Sequence, residues 1–188
     1  MFRLELAGAD TRLCSALCAR CPQGPAGCCA TPPAVAWADL GRIVALGGAA
    51  WLLDEVRSGR LRPGGRGLLI RRVEPAPGGG ARCVYHGPEG CTISPGRRSA
   101  TCNYYLCDEG FDHAGEARGD PTAARGREAH EALTSLYGGW DLEIGERVRA
   151  RWPDGPPWDA AFLEWLGEEH RRKLRRSHRA LRRLSPRG

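Results

Sequence analysis

The sequence has almost no lysine and no long apolar segment. Lys173 is the only lysine beside 27 arginines, and together with abundant Ala, Gly and Pro this indicates a high-GC, bacterial genome that inflates the arginine content. No run of about 18 apolar residues is present, so we expect no membrane span. The first ten residues contain no apolar signal segment. We therefore expect a soluble, cytoplasmic protein whose thiols stay reduced.

Motifs of the common nucleotide-binding and hydrolytic enzymes are also missing. The sequence has no Gly-rich phosphate loop, no Ser/His/Asp order and no helical His-Glu-x-x-His. The chain of 188 residues has 41% hydrophobic and 27% charged residues, which are globular values. This length fits one domain with a core large enough not to need disulfides.

Cysteine is the residue type that stands out. Eight of the nine cysteines form a split array, which consists of Cys18, Cys21, Cys28, Cys29, Cys83, Cys91, Cys102 and Cys107. Each lies among Gly, Pro, Asn and Asp residues, which favour turns, so loops can bring the sulfurs together. Convergent thiolates bind soft or borderline metals. Zinc held by four sulfurs is the commonest outcome, and iron or an iron-sulfur cluster comes next.

Two alternatives to metal binding are a disulfide framework and unrelated buried thiols. Adjacent cysteines such as Cys28 and Cys29 cannot easily close a disulfide with each other, yet two adjacent thiolates can serve one metal or two neighbouring metals. A disulfide framework would also need an oxidising compartment. These points favour ligation. Cys14 could join the site or be a spare buried thiol, and His86 could be a nitrogen ligand or lie outside the ligand shell.

The cysteine array resembles the YkgJ-type cysteine-cluster family, a zinc- or iron-chelating domain. Its pattern is roughly C-x-x-C-x(2-4)-C-C, then C-x-F-L, then G-x-C-x-I-Y, then R-P-x-x-C-R-x-[YF]-P. The matching residues are Cys18, Cys21, Cys28 and Cys29 in the first block, Cys83 with Tyr85 in the second, Gly90-Cys91-Thr92-Ile93 in the third, and Arg98, Cys102 and Tyr105 in the fourth.

The resemblance covers about residues 14 to 107 and is that of a divergent member. The departures are six residues between Cys21 and Cys28, Ser94 in place of Tyr, Ser99 in place of Pro, Asn103 in place of Arg, and Leu106 in place of Pro. The resemblance implies a cysteine-ligated metal more firmly than any activity.

The residue patterns predict an α+β fold in which helices surround a small cysteine-rich metal-cluster domain with a short β-hairpin. Alternation predicts an edge strand over Phe2 to Leu6. The residue patterns predict two strands, over 67–73 and 81–86. A turn over 75–80 would join them into a hairpin that contains Cys83. The loop 86–90 then lets Cys91 approach Cys83. A helix over Thr11 to Ala19 would place Cys14 on the same face as Cys18.

Helices are predicted on both sides of the array. Residues 34–59 carry an apolar stripe interrupted by Gly47-Gly48, which indicates two helices. Residues 108–126 are predicted to form a flexible loop. A helix is predicted over 128–137, ending at Gly138-Gly139, and a short strand is predicted over 147–152. Asp108, Glu109, Asp112 and His113 could take a hard cation or act as acid and base, although solvated loop charge is the commoner explanation.

The net charge of +6 belongs to the end of the chain, because residues 168–188 carry +7 and the rest carries −1. Pro153 to Pro157 break the chain before a long final helix. This break divides the chain into a cysteine-cluster domain over 1–157 and a basic helix over 158–188 that packs on the domain. The basic half is either a solvated helix or a surface for acidic protein, nucleic acid or anionic lipid. A protein partner is possible, and nucleic acid is disfavoured because no aromatic residue follows Trp165.

Two functions fit these patterns. The first is a metal-binding protein that holds zinc, or iron, through about eight cysteines in a structural, storage, delivery or sensing role. The second is an iron-sulfur or non-haem-iron oxidoreductase with one open metal position, so whether the chain is an enzyme stays open. Ligand counting separates the two, because eight thiolates close two four-coordinate sites completely.

Overall fold

A computed structural model describes residues 2–74 and 80–186 of the chain, which fold into a helical body beside four small antiparallel sheets. The predicted α+β class is confirmed. The α-helices are α1 (Trp37–Ala45), α2 (Ala49–Arg57), α3 (Ala100–Tyr104), α4 (Asp108–Ala114), α5 (Pro121–Arg151), α6 (Ala160–Arg176) and α7 (His178–Leu181).

The strands are short and lie mainly near the cysteines. They are β1 (Phe2–Glu5), β2 (Arg12–Ser15), β3 (Val35–Ala36), β4 (Leu61–Gly64), β5 (Gly67–Ile70), β6 (Arg72–Val73), β7 (Arg82–Cys83), β8 (His86–Gly87) and β9 (Gly90–Cys91). Strand β5 is central in the one three-stranded sheet, between β3 and β4, and the pairs β1–β2, β6–β7 and β8–β9 form the other sheets.

Several predicted elements are confirmed. The edge strand is β1, the two helices of residues 34–59 are α1 and α2, and β6 pairs with β7 in the hairpin that carries Cys83. The predicted strand over 67–73 is divided, because β5 pairs with β3 and β4 and only β6 belongs to this hairpin. The predicted turn over 75–80 lies outside the described residues except for Gly80. The segment from Thr11 to Ala19 is not one helix, because β2 pairs with β1 and places Cys14 opposite Arg3.

The longest helix, α5, replaces three predicted elements. The predicted loop over 108–126, the helix end at Gly138-Gly139 and the strand over 147–152 were wrong, since α4 begins at Asp108 and α5 runs from Pro121 to Arg151. The Asp120 carboxylate accepts hydrogen bonds from the first turn of α5, with Pro121 at the first helical position. Gly138 and Gly139 lie on the exposed face, where a helix tolerates them.

Helices α1 and α6 pack closely because glycines line their contact. A Cβ atom at Gly41 of α1 would lie 2.6 Å from the Leu166 carbonyl oxygen of α6, and one at Gly167 would lie 2.8 Å from Val44 Cγ1. Around this contact lies the main hydrophobic core, in which Trp37 of α1 stacks on Trp158 with 5.8 Å between ring centroids.

A second, small core lies beneath the β1–β2 hairpin, where Leu13, Leu106 and Phe111 are buried. The end of the chain reaches the same side of the molecule, because the Thr11 hydroxyl hydrogen-bonds the Leu184 carbonyl at 3.3 Å. The predicted C-terminal helix is α6, which ends at Arg176 before a bend at Ser177. Within the described residues, every helix is too short or too polar to cross a lipid bilayer.

The close approach of α1 and α6 predicts opposite effects for alanine at different glycines. Gly41→Ala should lower the free energy of unfolding by about 1–3 kcal/mol, because its methyl group would press on Leu166 and His170. The matched control Gly138→Ala should raise it by about 0.5–1 kcal/mol, because nothing lies within 4 Å of that position and alanine favours the helix. Urea unfolding of both variants measures these changes in the free energy of unfolding. Equal changes in the two variants would contradict the claim that Gly41 is required for the close contact between α1 and α6.

Candidate metal centre

The predicted ligands lie on six separate short elements on one side of the helical body. Cys18 lies in the 3₁₀ turn Ala16–Arg20, and Cys21 follows it. Cys28 and Cys29 lie in the 3₁₀ turn Gly27–Ala30. The remaining ligand candidates are Cys83 in β7, Cys91 in β9, Cys102 in α3 and Cys107 at the N-terminus of α4. Seven of the eight ligand candidates therefore lie in turns, in two-residue strands or at a helix start, as their turn residues predict, whereas Cys102 lies within α3.

Five of these cysteines line one cavity of about 470 Å³, namely Cys28, Cys29, Cys83, Cys91 and Cys102. Tyr85, Tyr105 and Thr101 complete much of its wall. Strand β8 pairs with β9 so that His86 lies opposite Cys91, and this tight hairpin turns Cys91 back towards Cys83. The knuckle-like loop expected over residues 86–90 is present.

The other cysteines meet beside this cavity. A Cβ atom at Gly27 would lie 2.8 Å from Cys21 Sγ, and Gly27 has a positive φ of 48°, so both the sulfur contact and the backbone favour glycine there. The Gln23 amide donates a hydrogen bond of 3.1 Å to the Glu109 carboxylate. This bond ties the loop after Cys21 to the first turn of α4, which begins directly after Cys107.

Two buried side chains of α1 fix the segment that carries Cys102. The Asp39 carboxylate accepts hydrogen bonds from the Ser99 hydroxyl and the Ala100 backbone N–H, both at 2.7 Å. The Arg42 guanidinium donates to the Arg98 carbonyl oxygen. Because Asp39 and Arg42 are 4% and 1% exposed, these bonds hold the start of α3 against the core.

Hydrogen bonds within the Cys102 segment itself also hold it in place. The Arg98 side chain donates to the Ile93 carbonyl at 2.9 Å, and the Asn103 amide donates to the Pro95 carbonyl at 2.9 Å. Asn103 thus has a structural partner at the position where the YkgJ-type pattern has Arg. The backbone on either side of Cys102 is therefore held by side-chain hydrogen bonds.

Tyr85 gives the cavity a rigid wall. Its hydroxyl donates a hydrogen bond of 2.5 Å to the buried Glu55 carboxylate, which also accepts from Arg60 at 2.7 and 2.8 Å. Burial and this hydrogen bond raise the pKa of Tyr85 above its usual range. Next to it His86 also lines the cavity, and its Nδ1 is buried without a hydrogen-bond partner within the described part of the chain. His86 stays a candidate ligand.

Burial and mutual repulsion hold most of the thiols in their protonated form. Burial, followed by the charges of Cys28, Cys107, Cys21 and Cys14, raises the pKa of Cys18 to about 11. Burial raises the pKa of Cys102 to about 12, with further contributions from Asp39, Cys91, Cys83 and Cys28.

The adjacent pair behaves differently from the other thiols. A hydrogen bond from the Cys29 thiol lowers the pKa of Cys28 to about 6 and raises that of Cys29. A thiolate at Cys28 is therefore the easiest to form at neutral pH. A cation would counteract the repulsion among the other thiolates and release their protons.

The donor chemistry of this region fits zinc or iron, whereas the sulfur positions do not form a closed site. Throughout residues 2–74 and 80–186, no group of three or more His, Cys, Asp or Glu side chains has an arrangement that could hold a metal ion. The acidic side chains of α4 do not form a cation site either. Asp108 forms an ion pair with Arg127 at 2.8 Å, and the Glu109 carboxylate accepts a hydrogen bond from Gln23. Metal binding through the thiols would need the sulfurs to move closer together.

Sequence patterns did not single out Asp39 and Arg42 as positioning residues or Glu55 as the partner of Tyr85. A signal for the first pair is present, since two charged residues lie three positions apart within the apolar stripe of α1. Glu55 and Tyr85 are 30 residues apart, and only the fold brings them together.

Comparison of the chain with protein-family models, curated proteins and solved structures finds no match. The YkgJ-type resemblance therefore remains a hypothesis that depends on the cysteine pattern.

The Asp39 contacts predict that its loss frees the Cys102 segment. Asp39→Ala should lower the free energy of unfolding by about 3 kcal/mol, because it leaves the buried Ser99 hydroxyl and the Ala100 N–H without their acceptor. It should also speed alkylation of Cys102, measured by peptide mapping. The control Asp54→Ala removes a carboxylate from an exposed ion pair with Arg57 and should change neither quantity appreciably. Unchanged Cys102 reactivity in Asp39→Ala would contradict the positioning role.

Proposed function

We propose that the chain is a metal-binding protein that holds zinc through Cys18, Cys21, Cys28, Cys29, Cys83, Cys91, Cys102 and Cys107. The observation that carries the proposal is the collection of these eight thiols on one side of the molecule, five of them around one cavity. The elements that carry them come from chain segments up to 89 residues apart.

The local structure around the first four cysteines supports a role for the metal in folding. No residue of 21–33 is fully buried. The backbone hydrogen bonds of this segment are short-range turns, such as Gly24 N–H to the Cys21 carbonyl and Thr31 N–H to the Cys28 carbonyl, both 3.2 Å. A segment without a core and without long-range backbone bonds needs another source of order, and metal ligation supplies it.

Iron or an iron-sulfur cluster is the alternative cofactor, because thiolates bind these as well as zinc. The role would be structural, storage, delivery or sensing. Eight thiolates are enough for two closed four-sulfur sites, which leave no position for a substrate.

A metalloenzyme, of an iron-sulfur or non-haem-iron oxidoreductase type, is the second candidate. One observation favours it. The cavity beside the thiols has room for a small molecule, and its wall includes the aromatic residues Tyr85 and Tyr105. A metal with water in its coordination sphere would support this reading over a closed site.

The basic end of the chain suggests a further contact in the proposed role. Arg175, Arg176, Arg179, Arg182 and Arg183 are exposed at the end of α6 and in the segment after it, whereas Leu181 and Leu184 of the same segment pack on the core. We favour an acidic protein as the partner over nucleic acid, because stacking aromatic residues are absent after Trp165.

The proposal predicts that purified protein contains metal. Protein expressed in medium supplemented with zinc and iron, and purified both aerobically and anaerobically, should contain more than one equivalent of zinc or iron per chain by elemental analysis. Protein that is folded and metal-free under both conditions would refute the proposed function.

Metal removal is predicted to loosen the segment from Cys18 to Pro33 while the helices persist. A strong chelator should lower the melting temperature and expose the bond after Arg20 to trypsin, since residues 21–33 have no buried core of their own. Bonds within α5, such as that after Arg125, provide the internal control and should stay protected. If melting and cleavage do not change after complete metal removal, the metal does not contribute to folding.

A further inference from the structure

The eight thiols are not evenly distributed but fall into two sets, and this division deepens the proposed function on which it rests. The first, the outer group, consists of Cys18, Cys21, Cys28 and Cys107. The second, the cavity group, consists of Cys29, Cys83, Cys91 and Cys102. Cys14 belongs to neither set, because β2 holds it in the hairpin with β1.

Contacts between elements define the outer group. The 3₁₀ turn that contains Cys18 contacts α4, the helix that begins after Cys107. The Gln23–Glu109 hydrogen bond brings the loop after Cys21 to the same helix end. Cys21 Sγ in turn lies over Gly27, directly before Cys28. Cys28, Cys107 and Cys21, together with Cys14, also raise the pKa of Cys18 through their charges when ionised.

Different contacts define the cavity group. The 3₁₀ turn that contains Cys29 packs on β7, which contains Cys83. The β8–β9 hairpin returns Cys91 to Cys83, and the Asp39 contacts with Ser99 and Ala100 place Cys102 in the wall of the same cavity. Cys18, Cys21 and Cys107 are not among the residues that line this cavity.

Cys28 and Cys29 lie at the border between the sets. Cys28 lines the cavity, as Cys18 and Cys21 do not, and its charge acts on both Cys18 of the outer group and Cys102 of the cavity group. Assigning one of the two adjacent cysteines to each set gives every set four sulfurs, the number that a tetrahedral zinc site needs.

We propose that the chain holds two separate four-sulfur metal sites, the outer group and the cavity group, which are joined by the peptide bond between Cys28 and Cys29. The outer site links the N-terminal loop to the start of α4. The cavity site links that loop to the β6–β9 hairpins and to α3. Each site therefore cross-links different parts of the chain.

Paired variants test the division. Cys18→Ser/Cys21→Ser removes two ligands of the outer group, Cys91→Ser/Cys102→Ser removes two of the cavity group, and Cys14→Ser is the control. Each metal-free protein is reconstituted with excess zinc, passed through a desalting column with a weak chelator and weighed by native mass spectrometry. The wild type and Cys14→Ser should retain two zinc ions, and each paired variant one.

Alkylation of the zinc-loaded variants shows which thiols belong to the remaining site. In Cys91→Ser/Cys102→Ser, Cys28 should be protected and Cys29 modified. In Cys18→Ser/Cys21→Ser, the pattern should be reversed. The helical circular dichroism signal shows whether each variant is folded. If a double variant does not fold, a single substitution replaces it, Cys107→Ser for the outer group or Cys29→Ser for the cavity group.

The outcomes separate this inference from the proposed function. A wild type that retains no zinc after reconstitution and contains neither zinc nor iron as purified would refute both. If the wild type binds metal but either paired variant loses all of it, the thiols form one shared cluster and the division is wrong. A wild type with one ion, or equal protection of Cys28 and Cys29 in both variants, would also overturn the division while leaving metal binding in place.

Discussion

The buried Asp39 and Arg42 side chains of α1 connect the helical body to the cysteine-bearing loops. Both are charged groups removed from water, which is costly unless every polar atom finds a partner. Asp39 meets this requirement with hydrogen bonds from Ala36, Ser99 and Ala100. Arg42 meets it in part, because its two terminal nitrogens donate to Asp10 and Arg98, whereas its Nε has no hydrogen-bond partner within the described residues. These bonds fix where α3 begins. The position of Cys102 relative to the other thiols therefore depends on a pair of charges in the core.

The molecule has two regions that are stabilised in different ways. Helices α1, α5 and α6 enclose a continuous apolar core, in which Leu40, Leu133 and Leu166 have no exposed surface. The thiol side has short strands, 3₁₀ turns and half-buried residues instead. Hydrophobic burial explains the order of the first region. In the second, the crowded thiols repel one another once ionised. Under the proposed function, a bound cation would offset that repulsion.

The sequence predicts local features better than contacts between distant segments. The Gly47-Gly48 interruption correctly indicates two helices, and the turn residues around the cysteines correctly indicate turns and very short elements, except that Cys102 lies within α3. Residues 108–126 look like a loop because Gly and Asp are frequent there, yet Asp120 followed by Pro121 is a helix start. The capping signal of Asp120 and Pro121 therefore outweighs the loop-like composition of the segment.

The Gly138-Gly139 pair shows the same limitation in α5. Glycine weakens a helix by a fraction of a kcal/mol to about 1 kcal/mol, whereas burial of Tyr137, Trp140 and Ile144 on the opposite face contributes more. The spacing of those apolar residues continues past the glycines and indicates one helix. The Asp39 and Glu55 hydrogen bonds, in contrast, join residues 30 to 61 positions apart, and no local pattern predicts such partners.

The distance along the chain between neighbouring thiols also affects biosynthesis. The turn that contains Cys18 contacts α4, which begins directly after Cys107, and 89 residues of chain separate the two cysteines. At translation rates of about 5–20 residues per second, Cys18 and Cys21 are made roughly 5–20 seconds before Cys107 exists. During that interval these thiols have no neighbour from α4 and are open to oxidation or to capture by other metals. A newly made chain therefore depends on the reducing capacity of its surroundings until translation has passed α4.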